Sequence, residues 1–342
     1  MNAEAPAVNQ ALWTDIFAAD PAALRSDWTR AEIEALMAAP LFLLLDRARA
    51  LHLHHHDAQQ VQLATLANIK SGGCPENCGY CPQSAHFGGA PNEPLMPLPE
   101  LVEAATRARA GGASRFCMGA AWRKVRDGAA FDQVVEMVRA VAGLGMEPCV
   151  TLGMLEPHQI ARLRDAGLHA YNHNIDSSRE YYTEVVSTRS YDDRLRTLAT
   201  VRAAGVTLCA GGILGMGEAE SDRVGLLHTL CTLQPHPESV PLNKLVPAAG
   251  TPLAGSAEID SLDFVRVVAV ARVLMPSSVL RLAAGRASLS REACALAFYA
   301  GVNSIFYGDR LLTTPNPEQD EDRALLAALG LRPKPVGAPP AA

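Results

Sequence analysis

Eight short β-rich runs alternate with helical stretches along most of this chain, and that alternation restricts its fold more than any other feature. The runs lie near 61–69 (VQLATLANI), 114–118, 147–152, 168–174, 205–213, 237–245, 278–282 and 302–307. Helical stretches lie near 98–110, 130–144, 156–166, 190–204, 219–233, 261–275 and 288–300. Several close on a glycine, at Gly111-Gly112, Gly167, Gly205 and Gly301; glycine is the residue that ends a helix in the left-handed conformation. Eight such units over about 250 residues suit an α/β fold of the (β/α)8 TIM-barrel type. A doubly wound sheet would carry an early glycine-rich phosphate loop. The only glycine-rich turn, "GGILGMGE" at 211–218, follows the fifth run and does not fit G-x-G-x-x-G. The units are architectural, not solenoid repeats.

The barrel domain is expected over 26–333, with N-terminal helices at about 29–52. "TRAE" at Thr29 to Glu32 fits a capping box, in which the hydroxyl and the carboxylate satisfy first-turn amides. That helix should stop near Pro40, and a second, 41–52, leads into "HLHHHD". Residues 1–25 are rich in Ala and Pro without firm periodicity and read as a flexible arm. The tail 334–342 reads as disordered.

The chain has 342 residues, 49% of them hydrophobic, which is ample for a large core. Charged residues make up 19%, with a net charge of −6. Such a balance gives no electrostatic reason to bind nucleic acid or an anionic membrane. The apolar run Leu41 to Leu45 is five residues, far short of the roughly 20 of a membrane span. The first residues lack the basic and apolar regions of a signal peptide. The expectation is a cytoplasmic protein with reduced thiols, where clustered cysteines mean metal or redox chemistry.

Such a cluster is present. Cys74, Cys78 and Cys81 are spaced C-x3-C-x2-C, directly after the first run. In a barrel that is the C-terminal face, where loops carry the chemistry. Thiolates are the usual ligands of iron–sulfur clusters, and three of them leave one iron of a four-iron cube open to a cofactor or substrate. The alternatives are a structural zinc site with His86 as fourth ligand, or a disulfide plus a spare thiol.

Cys117, Cys149 and Cys209 fall in three different runs. A buried free cysteine is often plain core, but strand side chains alternate in and out, so all three can point into one barrel. Asn172, His173, Asn174 and Asp176 in "YNHNID", Asn243 in "PLNKL" and Arg281 in "VLRLAAGR" add polar groups on neighbouring runs. Barrel interiors are normally filled by Val, Ile and Leu. Burying these groups would be unfavourable unless they bind something, which implies a second, interior site.

From about Trp28 to Pro333 the chain resembles the biotin synthase family of the radical S-adenosylmethionine superfamily. The resemblance rests on "GGCPENCGYCPQS", "RFCMGAAW", "TLGML", "YNHNID", "GGILGMGE", "ESVPLNKLVPAAGTPL", "RLAAGR" and "NSIFYG…LLTTPNP". It implies that Cys74, Cys78 and Cys81 hold a [4Fe–4S] cluster whose fourth iron is chelated by S-adenosyl-L-methionine. It implies that Cys117, Cys149 and Cys209, with Arg281, hold a [2Fe–2S] cluster. Asn172, Asn174 and Asn243 would contact dethiobiotin. Asn174 and Asp176 would meet the cofactor's ribose, Arg194 its methionyl carboxylate, and Tyr80, Ile213 and Val246 its adenine. The glycines of 211–217 would let backbone approach that flat ring.

The implied reaction inserts sulfur into dethiobiotin by way of a 5′-deoxyadenosyl radical, with the [2Fe–2S] cluster as sulfur source. The implied partners are a reducing protein such as flavodoxin or ferredoxin, an iron–sulfur assembly system and a second copy of the chain. Arg281 is chosen by strand position; Arg286, five residues on, is the alternative. A methylornithine-forming or hydrogenase-maturation relative is a rival reading that would lack the three-strand cysteine set, and a zinc-binding interaction protein is another. The histidines 52–56 read as an exposed helix end, and Cys231 and Cys294 as packing residues. Lys244 points either outward or toward a substrate carboxylate.

Overall fold

The computed structural model describes residues 7–87, 89–308 and 316–337. Helices α1 (Ala7–Ala18), α2 (Arg30–Ala38) and α3 (Leu41–His55) precede strand β1 (Gln60–Lys70). Then follow α4 (Leu98–Ala110), β2 (Arg115–Ala120), α5 (Ala129–Gly143), β3 (Glu147–Thr151), α6 (Pro157–Asp165) and β4 (Ala170–Asn172). The short α7 (Tyr182–Val185) and α8 (Tyr191–Ala203) lead to β5 (Thr207–Cys209) and β6 (Gly212–Leu214). The chain continues through α9 (Glu220–Cys231), β7 (Ser239–Lys244), α10 (Ser261–Leu274), β8 (Val279–Leu282), α11 (Arg291–Tyr299) and β9 (Ser304–Phe306). It ends with α12 (Gln319–Ala328) and β10 (Arg332–Pro333).

All strand pairs are parallel, and β9 pairs with β1 to close the sheet. The pieces β5 and β6 both pair with β7 and form one broken barrel strand, so the fold is an eight-stranded (β/α)8 barrel. Every expected β run lies on one of these strands. A Cβ placed on Gly301 would come within 2.7 Å of Arg272 Nε, and its φ of +107° belongs to glycine. This helix stop is therefore fixed by packing as well as by backbone.

Helix α10 is buried nearly all round, from Phe264 to Leu274. Such a helix needs cover on both sides. The barrel supplies one side, and α2 and α3 supply the other. The expected capping box is present: Thr29 Oγ1 accepts from Glu32 N at 3.2 Å, and Glu32 Oε2 accepts from Thr29 N at 2.8 Å.

Three expectations need correction. The reading of 1–25 as an arm omitted α1, which packs on α2 and brings Ile16 into the core; residues 1–6 lie outside the described residues. The tail begins later than expected, because Lys334 N donates to Val61 O at 2.8 Å beside the short β1–β10 ladder; residues 338–342 lie outside the described residues. The helix end at 52–56 is only partly exposed. His52 shares the inner face of α3 with Leu45, Ala48 and Leu51 and is buried, and His56 Nε2 lies 3.0 Å from Pro276 O. Residues 311–315 of the "LLTTPNP" motif also lie outside the described residues.

Candidate active site

The three loop cysteines follow β1 in a tightly pinned segment. Cys74 N donates to Gln83 O at 3.0 Å, Ala85 N to Cys74 O at 2.7 Å, and Cys81 N to Cys78 O at 2.9 Å. Glu76, between the first two cysteines, is buried. Its carboxylate accepts from Thr188 Oγ1 and lies 3.2 Å from Arg123 Nε. Asn77 Oδ1 accepts from the amides of Ser187 and Thr188 at 2.9 and 3.1 Å. The loop is thus bound to the segment after α7.

Burial pushes the Cys78 thiol up to about 11 and the Cys81 thiol up to about 12, and Cys74 also moves up. They become thiolates readily only with a strong cation at hand. Among the described residues, no three His, Cys, Asp or Glu side chains converge as ligands of a single metal ion. Cluster ligands sit on separate irons and need not converge. His86 Nε2 lies 3.2 Å from Pro75 O on an exposed side chain.

The interior cysteines are brought together by register. Cys117 stands opposite Cys149, Cys149 opposite Ala170, and Cys209 opposite Asn172 and Ser239. With Ala64 and Ala170 they form a small buried cluster of their own, separate from the main core. Hydrogen bonding from Cys149 pushes the Cys117 and Cys209 thiols down, while its own thiol moves up. Arg281 and Arg115 add positive charge beside them.

Arg281 is buried and held at three points. Nε donates to Ser304 Oγ at 2.9 Å, Nη2 to Gln62 Oε1 at 3.1 Å, and Nη1 lies 3.7 Å from Cys209 Sγ. Arg286 faces elsewhere: it forms a buried pair with Asp322 of α12, with Nη2 to Oδ2 at 2.7 Å. The two arginines are thereby separated by position.

One cavity of about 310 Å³ is walled by both sulfur groups. Cys74 and Cys81 line it at the mouth, and Cys117, Cys149, Cys209 and Arg281 line it deeper in the barrel. Cys78 is buried, within electrostatic reach of Arg194 and Asp176 of the same wall. Tyr80, Asn172, Asn174, Asp176, Arg194, Ile213, Asn243 and Val246 all line the same cavity. Every residue selected from the sequence therefore lies on or directly beside it.

Within this cavity the polar groups are already ordered. Asn172 Nδ2 lies 3.3 Å from Cys209 Sγ and 3.1 Å from Asn174 Oδ1, and Thr151 Oγ1 donates to Asn172 Oδ1 at 2.9 Å. Asn243 donates to Gly212 O at 2.9 Å and accepts from Ala284 N at 3.1 Å. Arg194 pairs with Asp176, donates to Asn174 O at 2.8 Å and donates to Tyr182 Oη at 2.9 Å. Burial is the largest single influence and lowers the Arg194 pKa, but Asp176, Tyr80, Tyr182 and Cys78 together outweigh it and hold the guanidinium charged. Asp176 has φ of +66°, the only left-handed non-glycine among the described residues. Such a backbone is strained by about 1–3 kcal/mol and concentrates at functional sites.

Two glycines of the 211–218 turn are required by the protein's own packing. A Cβ on Gly211 would lie 1.9 Å from Pro241 O, and one on Gly212 would lie 2.5 Å from Leu226 Cδ2. Glu218 holds this turn, accepting from the amides of Gly215 at 2.9 Å and Met216 at 2.7 Å. Lys244 is buried and pairs with Glu258 at 2.5 Å. Cys231 and Cys294 are core residues, as expected.

Sequence reasoning missed Glu76, Asn77, Gln62 and Glu218. The available signal was weak: two polar residues set between cysteines, a glutamine in an apolar strand, and a glutamate closing a glycine turn.

A parallel barrel whose first loop brings three cysteines to the mouth of a polar cavity defines the radical S-adenosylmethionine class of enzymes. Residues 68–230 match the Radical SAM superfamily, and residues 241–332 match the Biotin and Thiamin Synthesis associated domain. Biotin synthase of Sorangium cellulosum is 57% identical over 310 residues, covering 90% of this chain and 89% of that one. Biotin synthase of Rhizobium rhizogenes is 58% identical over 309 residues, covering 90% and 94%. The chain belongs to the biotin synthase family and is an enzyme, a radical S-adenosylmethionine sulfurtransferase. The family implies a [4Fe–4S] cluster and S-adenosylmethionine.

Solved structures share the fold at low identity. Methylornithine synthase has a TM-score of 0.76 at 17% identity, covering 94% of this chain and 97% of that one. A maturase of the [FeFe]-hydrogenase has a TM-score of 0.79 at 16% identity, covering 95% and 75%. Among the described residues, no helix is long and apolar enough to cross a membrane.

Proposed function

We propose that this chain converts dethiobiotin to biotin. One observation supports the reading most: a single cavity is walled by both sulfur groups and by every polar residue selected for cofactor and substrate. The donor chemistry fits both clusters. Cys74, Cys78 and Cys81 would hold the [4Fe–4S] cluster, with one iron left for the amino and carboxylate groups of S-adenosylmethionine. Cys117, Cys149, Cys209 and Arg281 would hold the [2Fe–2S] cluster. When bound, these groups supply a 5′-deoxyadenosyl radical that removes hydrogen from unactivated carbon, and the sulfur that closes the new ring.

The protein's part is to bind, orient and exclude water. Arg194 has three of its five N–H donors engaged by Tyr182, Asn174 and Asp176. The remaining two suit the methionyl carboxylate as a bidentate fork. Asp176 and Asn174 would take the ribose hydroxyls, and Tyr80, Ile213 and Val246 the adenine. Asn243 keeps one N–H and one lone pair free for the ureido ring, once its bonds to Gly212 and Ala284 are counted. Asn172 and Asn174 would complete that contact. Leu66, Trp122 and Phe306 give the wall its apolar part, which favours the alkyl portion of the substrate.

The same reading has the enzyme working in the cytoplasm as a homodimer. A flavodoxin- or ferredoxin-like protein would supply electrons, and an iron–sulfur assembly system would maintain the clusters. The test is anaerobic. Protein with S-adenosylmethionine, dethiobiotin and a low-potential reductant should form biotin, 5′-deoxyadenosine and methionine, and its iron and sulfide content should account for two clusters. Cofactor cleavage with one cluster and no biotin would refute the reading.

A further inference from the structure

A second cavity, of about 760 Å³, lies at the opposite end of the barrel from the loop cysteines. It is ringed by the first residues of the strands, among them Gln62 on β1, Arg115 on β2, Glu147 on β3 and Thr207 on β5. Only one polar layer separates it from the interior cysteines. Gln62 spans that layer: its Oε1 accepts from Arg281 at 3.1 Å, and its Nε2 donates to Glu147 Oε2 at 2.8 Å. Arg115 pairs with the same carboxylate oxygen at 2.8 Å. Cys117, Cys149 and Cys209 all act on the Arg115 guanidinium electrostatically. Its Nη1 is buried with no partner in the protein.

The opening for an anion is the unpartnered Arg115 donor, beside two cations that face a single carboxylate. Glu147 faces two fixed cations, Arg115 and, at 4.0 Å, Lys334, with His169 at 3.7 Å. The other carboxylates of the cavity are matched, Asp57 by Arg332 and Glu238 by Arg202. Arg25 at the rim is matched by Asp27 and Glu32. The two carboxylates on Arg25 offset the second cation at Glu147, so the charges balance and what remains open is the unused N–H donor of Arg115. A buried donor without a partner is rare in proteins and marks a place for a water or an ion.

We propose that this cavity is the port by which hydrosulfide reaches the interior site, with Arg115 Nη1 as its first contact. The inference rests on the proposed function, in which each biotin removes one sulfur from the interior cluster. That sulfur must be replaced at the oxidation level of sulfide. Hydrosulfide provides it without redox change at sulfur; on binding iron it loses only a proton, which leaves to solvent through the same cavity, and the two electrons that the two C–S bonds leave on the interior irons are taken up by ferric iron supplied with it. The mouth cavity is unsuited to this traffic while cofactor and substrate fill it.

The test uses holoenzyme carried through one turnover. With S-adenosylmethionine and dethiobiotin kept bound and reductant removed, ferric iron and sodium sulfide are added anaerobically. Interior-cluster absorbance and acid-labile sulfide per chain are followed. Wild-type protein should refill with both ligands in place. His169→Trp, which narrows the port without touching a cysteine, should refill about tenfold more slowly. Lys334→Gln, which removes one of the two cations facing Glu147, should refill several-fold more slowly and with a weaker salt dependence. Both variants should give a normal first-turnover yield. If His169→Trp melts at a much lower temperature, Lys334→Gln carries the test. Refilling blocked by bound cofactor and substrate, or equal in all three proteins, overturns the port and leaves the proposed function standing. A wild-type protein that forms no first-turnover biotin refutes the proposed function, and the port with it.

Discussion

The two cysteine groups reach one cavity by opposite routes. Cys74, Cys78 and Cys81 are close in sequence, lie on one loop, and have thiols that burial pushes up. Cys117, Cys149 and Cys209 come from three strands and share hydrogen bonds. Two of their thiols are pushed down beside Arg281 and Arg115. At the loop group burial outweighs the nearby Arg194, Arg189 and Lys70, so a metal is needed to make thiolates, whereas hydrogen bonds from Cys149, with Arg281 and Arg115, already lower two interior thiols. The contrast separates a site that is completed by its metal from a site that the barrel prepares in advance.

The largest expected effect tests whether the groups are functionally separate. Cys78→Ala should abolish both 5′-deoxyadenosine and biotin formation. Cys149→Ala should abolish biotin while some cofactor cleavage remains. Both products can be measured by chromatography on the same samples. Loss of cofactor cleavage in Cys149→Ala, together with loss of the four-iron spectrum, would merge the two sites into one.

This difference in coding also explains what was readable in advance. The loop group is a local spacing, so it shows in the sequence directly. The interior group depends on strand parity, which the β-rich runs supplied because each was placed within a few residues of its observed strand. The Thr29 cap was legible for the same local reason. Helix α1 was not, because its place depends on packing against α2 and not on a strong periodicity of its own. His52 is misjudged because it belongs to a histidine-rich run at the end of α3, while its burial comes from the packing of α3 against α10. Gln62 and Glu76 were invisible because their partners lie far away in sequence, at Arg281 and Thr188.

Next in size is the contrast between Arg281 and Arg286, five residues apart. Arg286→Met leaves Asp322 buried without its partner and should lower stability by about 3–5 kcal/mol, read as a fall in melting temperature. Arg281→Met removes a group that faces cysteine, serine and glutamine but no carboxylate. It should be milder in melting and should change the spectrum of the interior cluster. Equal spectral effects from both would remove Arg281 from the site.

A smaller effect comes from pH in protein stripped of clusters. Cys78 and Cys81 titrate near 11 and 12 in the folded state, against a reference of 9.0. Between those values the unfolded chain releases protons that the folded chain keeps. Stability should therefore fall as pH rises from 9 toward 11, by up to about 1.4 kcal/mol per unit for each thiol. The interior thiols Cys117 and Cys209, pushed down, contribute in the opposite sense at lower pH. Denaturant melts of wild type and of Cys78→Ser/Cys81→Ser should diverge in this window; parallel curves would show that burial does not hold the loop thiols neutral.

The smallest effect concerns how the loop is held. Glu76→Gln keeps the shape of the side chain but removes the charge facing Arg123, while an amide oxygen can still accept from Thr188. The cost should be about 1.5–3 kcal/mol, the range for a hydrogen bond to a charged group. Because Glu76 lies between Cys74 and Cys78 and contacts no interior cysteine, the loss should fall on one group alone. Iron content at the loop site and the midpoint of cofactor cleavage against denaturant should drop, while the interior spectrum stays. A matching loss at both sites would mean that the loop and the barrel interior unfold as one unit, and the independence drawn from their opposite electrostatics would fail.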